Sequence, residues 1–139
     1  MKQDARVLLA EDNSDDAELL LSAFAAQKFP LPVERVADGA EAIEYLARRG
    51  PYAAFTEPPV LVLLDLAMPK RGGLEVLEFM RRDRWLKYVP VVVFSGGADE
   101  DQRLSALDLG ARFVIRKPED REGYLKLAEN IDAMLSFLH

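Results

Sequence analysis

The sequence predicts one α/β domain, a five-stranded parallel sheet with helices on both faces. Three observations predict it. Short apolar runs alternate five times with longer segments of helical period, and that alternation calls for a parallel sheet covered on both sides. Two runs, Val60-Leu61-Val62-Leu63-Leu64-Asp65 and Val89-Pro90-Val91-Val92-Val93-Phe94-Ser95, are apolar at nearly every position, as central strands buried on both faces are. With 139 residues, half of them hydrophobic, the chain suits a single domain with a substantial core.

The first strand is expected at Arg6-Val7-Leu8-Leu9-Ala10, ending at the acidic cluster Glu11-Asp12-Asn13-Ser14-Asp15-Asp16. Leu19, Leu20, Ala23 and Phe24 then recur at helical spacing. Asn13 or Ser14 would cap this helix, acidic residues suit the dipole of its first turn, and Pro30 and Pro32 would close it. Val33-Glu34-Arg35-Val36 alternates like a strand and ends at the turn pair Asp38-Gly39; residues 40–48 follow as a second helix with Ala42, Ile43 and Leu46 on one face. Residues 49–59, punctuated by Gly50-Pro51 and Pro58-Pro59, form a long loop before the third strand. Gly72 and Gly73 precede a helix carrying Leu74, Val76, Leu77 and Met80. Pro90 stands at the entrance of the fourth strand, where a missing N–H is tolerated. A helix over roughly Asp99–Leu109, a fifth strand at Ala111–Ile115 and a last helix from about Asp120 to Leu138 complete the pattern, the last with Leu125, Ile131, Leu135 and Leu138 inward.

Composition excludes several classes of function. Eighteen Lys and Arg against 24 Asp and Glu leave a formal charge of −6, the wrong sign for a nucleic-acid-coating surface. With no cysteine, and with His139 as the only histidine, disulfides, thiolate metal sites, cysteine nucleophiles and Ser-His-Asp triads are absent. No apolar run approaches the ~20 residues that span a bilayer, and Met1-Lys2-Gln3-Asp4 does not resemble a signal peptide. The expectation is a cytoplasmic domain whose chemistry uses carboxylates, hydroxyls, lysines or backbone.

In open α/β sheets, ligands bind beyond the carboxyl ends of the strands, where strand order reverses. Strand 1 ends in Glu11-Asp12, strand 3 in Asp65, strand 4 in Ser95 and strand 5 in Lys117-Pro118. For the order 2-1-3-4-5, Glu11, Asp12 and Asp65 surround one crevice, flanked by Ser95 and Lys117. Carboxylates so close repel one another unless a cation joins them, and a hard ion such as Mg2+ suits them while keeping positions open for a phosphate. The set suits phosphoryl transfer to Asp65. Glu11-Asp12 alone could merely cap a helix, and Ser95 alone could merely start a turn. Asp65 ends an apolar central strand, where a bare carboxylate is costly. Gly96-Gly97 lacks the Lys-Ser or Lys-Thr of a P-loop.

Leu9-Ala10-Glu11-Asp12-Asn13, Val62-Leu63-Leu64-Asp65-Leu66-Ala67-Met68-Pro69, Phe94-Ser95 and Lys117-Pro118 together resemble the two-component response-regulator receiver domain, CheY-like in fold, over essentially residues 1–139. The resemblance implies that Asp65 takes a phosphoryl group from a histidine kinase. Glu11, Asp12, Asp65 and the backbone carbonyl of Ala67 would gather Mg2+, Lys117 would pair with one phosphoryl oxygen, and Ser95 would bond to another. It also implies a cis bond before Pro118. The outcome would be a signalling switch, able to speed its own phosphorylation and dephosphorylation, rather than a metabolic enzyme.

No output domain is expected after the receiver, so output would come through docking. Gly50-Pro51-Tyr52, Pro58-Pro59 and Trp85-Leu86-Lys87 resemble the regulators found beside bacterial phytochromes, which implies a red-light-sensing kinase partner and a homodimer. Tyr124, Leu127, Met134, Phe137 and Leu138 exceed what one inner stripe needs, and a second copy is expected to bury some of them. One departure concerns the ring that many receivers carry three residues before the lysine. Val114 stands there, and neighbouring Phe113 should face the other side of the strand. A haloacid-dehalogenase-type phosphatase would need a second Asp at position 67, where Ala stands. A phosphorylation-independent pseudo-receiver is disfavoured by the intact Glu11, Asp12, Asp65, Ser95 and Lys117.

Overall fold

The computed structural model describes residues 5–68, 70–96 and 100–138, with the side chain of Leu138 excepted. Pro69, Gly97, the expected helix start at Asp99, residues 1–4 and His139 lie outside the described residues. In chain order the elements are β1 (Val7–Ala10), α1 (Ser14–Ala26), β2 (Val33–Val36), α2 (Gly39–Leu46), β3 (Leu61–Asp65), α3 (Gly73–Arg82), β4 (Val91–Ser95), α4 (Glu100–Asp108), β5 (Phe113–Arg116) and α5 (Arg121–Leu138). Short 3-10 turns occupy Gly50–Tyr52 and Leu86–Tyr88. All pairings are parallel in the order β2-β1-β3-β4-β5.

The sheet separates two apolar layers. Leu8, Val62, Leu64, Val91 and Val93 meet α2, α3 and Ala106 of α4. Val7, Leu9, Leu61, Leu63, Val92 and Phe94 meet α1 and α5 on the other face. This alternation is the period-two rule applied to strands apolar at every position, and each fully buried leucine contributes about 1.5–3 kcal/mol.

Element ends differ from expectation by one or two residues, each for a local reason. Helix α1 stops before the prolines are reached: Lys28 adopts φ 54 and the Phe29 N–H bonds to the Phe24 carbonyl, the left-handed closure of a helix. Arg48, at φ 58, ends α2 early in the same way. After α4, Gly110 takes φ 103 and the Ala111 N–H closes on the Ala106 carbonyl at 3.0 Å. Ala111 thus serves the helix end, and β5 starts two residues later than expected. No cis peptide bond occurs among the described residues. The expected cis bond before Pro118 is therefore corrected to trans, the form an X–Pro bond prefers by about 0.5–1 kcal/mol.

The long loop 49–59 is clasped at the N-terminal edge of the sheet. Buried Arg6 donates to the Tyr45 hydroxyl at 2.6 Å and to the Glu57 carbonyl at 3.0 Å, while its guanidinium lies 3.6 Å from the centre of the Phe55 ring. Tyr45 in turn donates to Glu34, and burial raises its pKa. Near the same edge Trp85, 68% exposed, begins the turn that leads into β4. No described helix is long and apolar enough to cross a membrane.

Candidate phosphoryl-acceptor site

The strand ends converge as the sequence predicts. Asp65 closes β3 and is 2% exposed; Glu11 follows β1 and is 3% exposed. Carboxylate oxygens of Glu11, Asp12 and Asp65 all lie within 4.8 Å of one another. Asn13 caps α1 through its side chain, which accepts from the Asp16 N–H at 3.0 Å, while the Asn13 N–H donates to Glu11 Oε2 at 3.1 Å. The turn after β1 thereby fixes Glu11 facing inward and leaves Asp12 exposed. The Ala67 N–H donates to Asp65 Oδ1 at 3.2 Å, so the turn after β3 folds back over the Asp65 carboxylate.

Lys117 follows β5 and is brought alongside Ser95 by the last rung of the sheet, where its N–H bonds to the Ser95 carbonyl at 3.0 Å. Its ammonium reaches Glu11 and Asp16 at 3.0 Å each and Asp65 at 3.3 Å. Burial pushes Glu11 up to about 7, with the neighbouring Asp65 adding to the rise, and burial raises Asp65 as well. Burial draws the Lys117 ammonium down, but hydrogen bonds to Glu11 and Asp16 and the charge of Asp65 outweigh it, and its pKa ends above the ordinary value.

Three carboxylates thus hold one ammonium, and Asp12 adds a fourth beside Glu11 and Asp65. The remaining negative charge, the hard oxygen donors and their spacing fit a divalent cation, with Glu11, Asp12 and Asp65 as the donor set.

Two contributors were not legible in the sequence. Asp16 reads there as one acidic residue of a helix start, yet it holds Lys117 at 3.0 Å, a contact that only the tertiary approach of β5 creates. Arg35 of β2 donates to the Glu11 carbonyl at 3.0 Å and to the Asp12 carbonyl at 3.3 Å, tying down the acidic turn. Phe113 and Val114 fall on opposite sides of β5 as expected: Val114 packs with the α2–α4 layer, while Phe113 is 51% exposed. Tyr124 and Leu127, offered by the sequence to a second copy, are instead buried by the protomer itself against α1 and β4, because their helical spacing puts them on the inward stripe of α5.

The response regulator receiver domain model matches residues 7–129. Response regulator Rcp1 of Synechocystis sp. is 28% identical over 127 residues, covering 91% of this chain and 86% of that protein. The probable methanogenesis regulatory protein FilR2 of Methanothrix harundinacea is 34% identical over 125 residues, 90% of this chain and 79% of its own. Among solved structures, the phosphorylated cyanobacterial phytochrome response regulator RcpA superposes with a TM-score of 0.89 at 35% identity, covering 97% of this chain and 96% of that one. The Mn2+-bound form of Rcp1 gives 0.84 at 28% identity, over 93% and 92% of the two chains. Strand order, the buried acidic pair, the lysine after β5 and a match spanning nearly the whole sheet agree: the chain belongs to the response regulator receiver domain family.

Proposed function

We propose that Asp65 is the phosphoryl acceptor of a sensor histidine kinase and that Glu11, Asp12, Asp65 and the Ala67 carbonyl hold Mg2+ during the transfer. The observation that carries this reading is the buried Asp65 carboxylate, held 3.3 Å from the Lys117 ammonium at the open edge of the sheet. A carboxylate oxygen of Asp65 forms the new bond to phosphorus as the phosphorus–nitrogen bond of the donor phosphohistidine breaks, leaving the electron pair on the imidazole. When bound, Mg2+ supplies neutralisation of the phosphoryl oxygens' charge. Lys117 balances a further phosphoryl oxygen, and Ser95, at the end of the neighbouring strand, bonds to another. The chain acts as a cytoplasmic switch that signals through altered protein contacts and is not a metabolic enzyme.

The likeness to RcpA and Rcp1 supports a bacterial phytochrome as the partner kinase. A homodimer is supported by the β5 edge, where Phe113, Ile115 and Met134 line an apolar groove of about 300 Å3 beside the 95% exposed Phe137.

Intact mass after incubation with acetyl phosphate tests the acceptor. One phosphoryl group should be gained with Mg2+, and none in EDTA or in Asp65→Asn. A gain that survives Asp65→Asn would move the acceptor elsewhere, and no gain in the parent protein would overturn the reading.

A further inference from the structure

Tyr124 is 3% exposed, and its hydroxyl has no hydrogen-bond partner among the described residues. A buried hydroxyl without a partner is unfavourable and calls for a reason. Tyr124 rises from the first turns of α5 into a cavity of about 10 Å3 beneath the carboxylate cleft, whose walls include Glu11, Asp16 and Lys117. Burial, followed by the negative charge of Asp16 and the approach of the hydroxyl to that carboxylate, pushes its pKa up to about 12, so the hydroxyl keeps its proton and already faces Asp16 without making a full hydrogen bond.

The Lys117 ammonium has three protons, and Glu11, Asp16 and Asp65 each accept from it. A phosphoryl group on Asp65 must lie on the solvent side of the strand ends, because the buried carboxylate does not border the small cavity and the sheet closes its other sides. To reach a phosphoryl oxygen, Lys117 moves outward. Glu11 and Asp65 hold it from the ends of β1 and β3, on the side where the phosphoryl group is added, whereas Asp16 holds it from α1. The Asp16 contact is therefore the one that lengthens.

We infer that Tyr124 is a positioning residue for phosphorylation: as Lys117 turns to the phosphoryl oxygen, the Tyr124 hydroxyl replaces the ammonium as the donor to Asp16. Only hydrogen bonds exchange. Lys117 trades Asp16 for the phosphoryl group, and the loose approach of the Tyr124 hydroxyl to Asp16 closes to a full hydrogen bond. The inference rests on the reading of Asp65 as acceptor.

The test compares beryllofluoride, a phosphoryl mimic, across the full-length parent, Tyr124→Phe, Asp16→Ala and the double variant, by calorimetry with Mg2+. Tyr124→Phe should weaken beryllofluoride binding about fivefold, the value of one hydrogen bond, without lowering the melting temperature of the mimic-free protein. In the Asp16→Ala background the same change should do nothing. As a second readout, the Asp16 carboxyl carbon resonance should move on adding beryllofluoride to the parent and stay in place in Tyr124→Phe. Equal weakening in both backgrounds, or none in either, overturns the inference. If the parent fails to bind beryllofluoride, the acceptor reading falls with it; if the parent binds and Tyr124→Phe binds equally well, only the role of Tyr124 falls.

Discussion

Glu11 sits between two demands. It is one of the buried oxygens suited to a cation, yet burial holds its carboxyl near pH 7 rather than the ordinary 4.5. A carboxyl with a raised folded pKa stabilises the fold fully below its unfolded pKa, and that stabilisation is lost as pH climbs toward about 7. Glu11→Gln escapes the loss. In EDTA the variant should therefore gain stability relative to the parent as pH rises from about 5 to about 8, measured by urea unfolding across that range. Saturating Mg2+ should reverse the order, because an amide is the poorer ligand for a hard cation. At this scale the sequence was legible where chemistry depends on the residue that ends a strand: Glu11, Asp12, Asp65, Ser95 and Lys117 all lie at one edge. It was illegible where a residue's role depends on which neighbour the fold delivers. Nothing in the acidic run 11–16 distinguishes Asp16 from Asp15, since only the tertiary approach of β5 puts an ammonium beside one of them.

The turn that carries Ala67 is supported from below by α2. A Cβ on Gly39 would fall 1.8 Å from the carbonyl oxygen of Arg71, and Lys70 and Arg71 already occupy positive φ at 51° and 86°. Because the obstacle is backbone, it cannot rotate aside. Gly39→Ala should cost about 1–3 kcal/mol of stability, the usual range for overpacking, and should slow phosphorylation by acetyl phosphate by displacing the turn after Asp65. Equilibrium unfolding and time-resolved intact mass measure the two effects separately. The strands were the easiest elements to read, since continuous apolar runs have few alternatives. Helix ends were harder, because Lys28 and Arg48 close their helices in a conformation that sequence associates with glycine. The loop 49–59 was recognisable as a loop, but its clasp through Arg6 was not, as Arg6 and Glu57 stand 51 residues apart in sequence.

Across the whole molecule, helices on both faces leave only β2 and β5 as open strands. Of the two, β5 pairs an exposed aromatic with an apolar groove, which is why the proposed second copy belongs there. Phe113→Asp should yield a monomer by light scattering at concentrations where the parent is dimeric, with a melting temperature within a few degrees of the parent, since the ring packs little within the protomer. The fold was legible from the alternation of runs alone, whereas the covering of its edges was not, because apolar residues on α5 serve the core and the surface alike until the helix is docked.

The chain holds a single tryptophan, and Trp85 stands before β4 while Asp65 closes β3. The two occupy opposite rims of the sheet. Tryptophan emission therefore reads the rim opposite Asp65, and a change in it reports first on whatever visits Trp85.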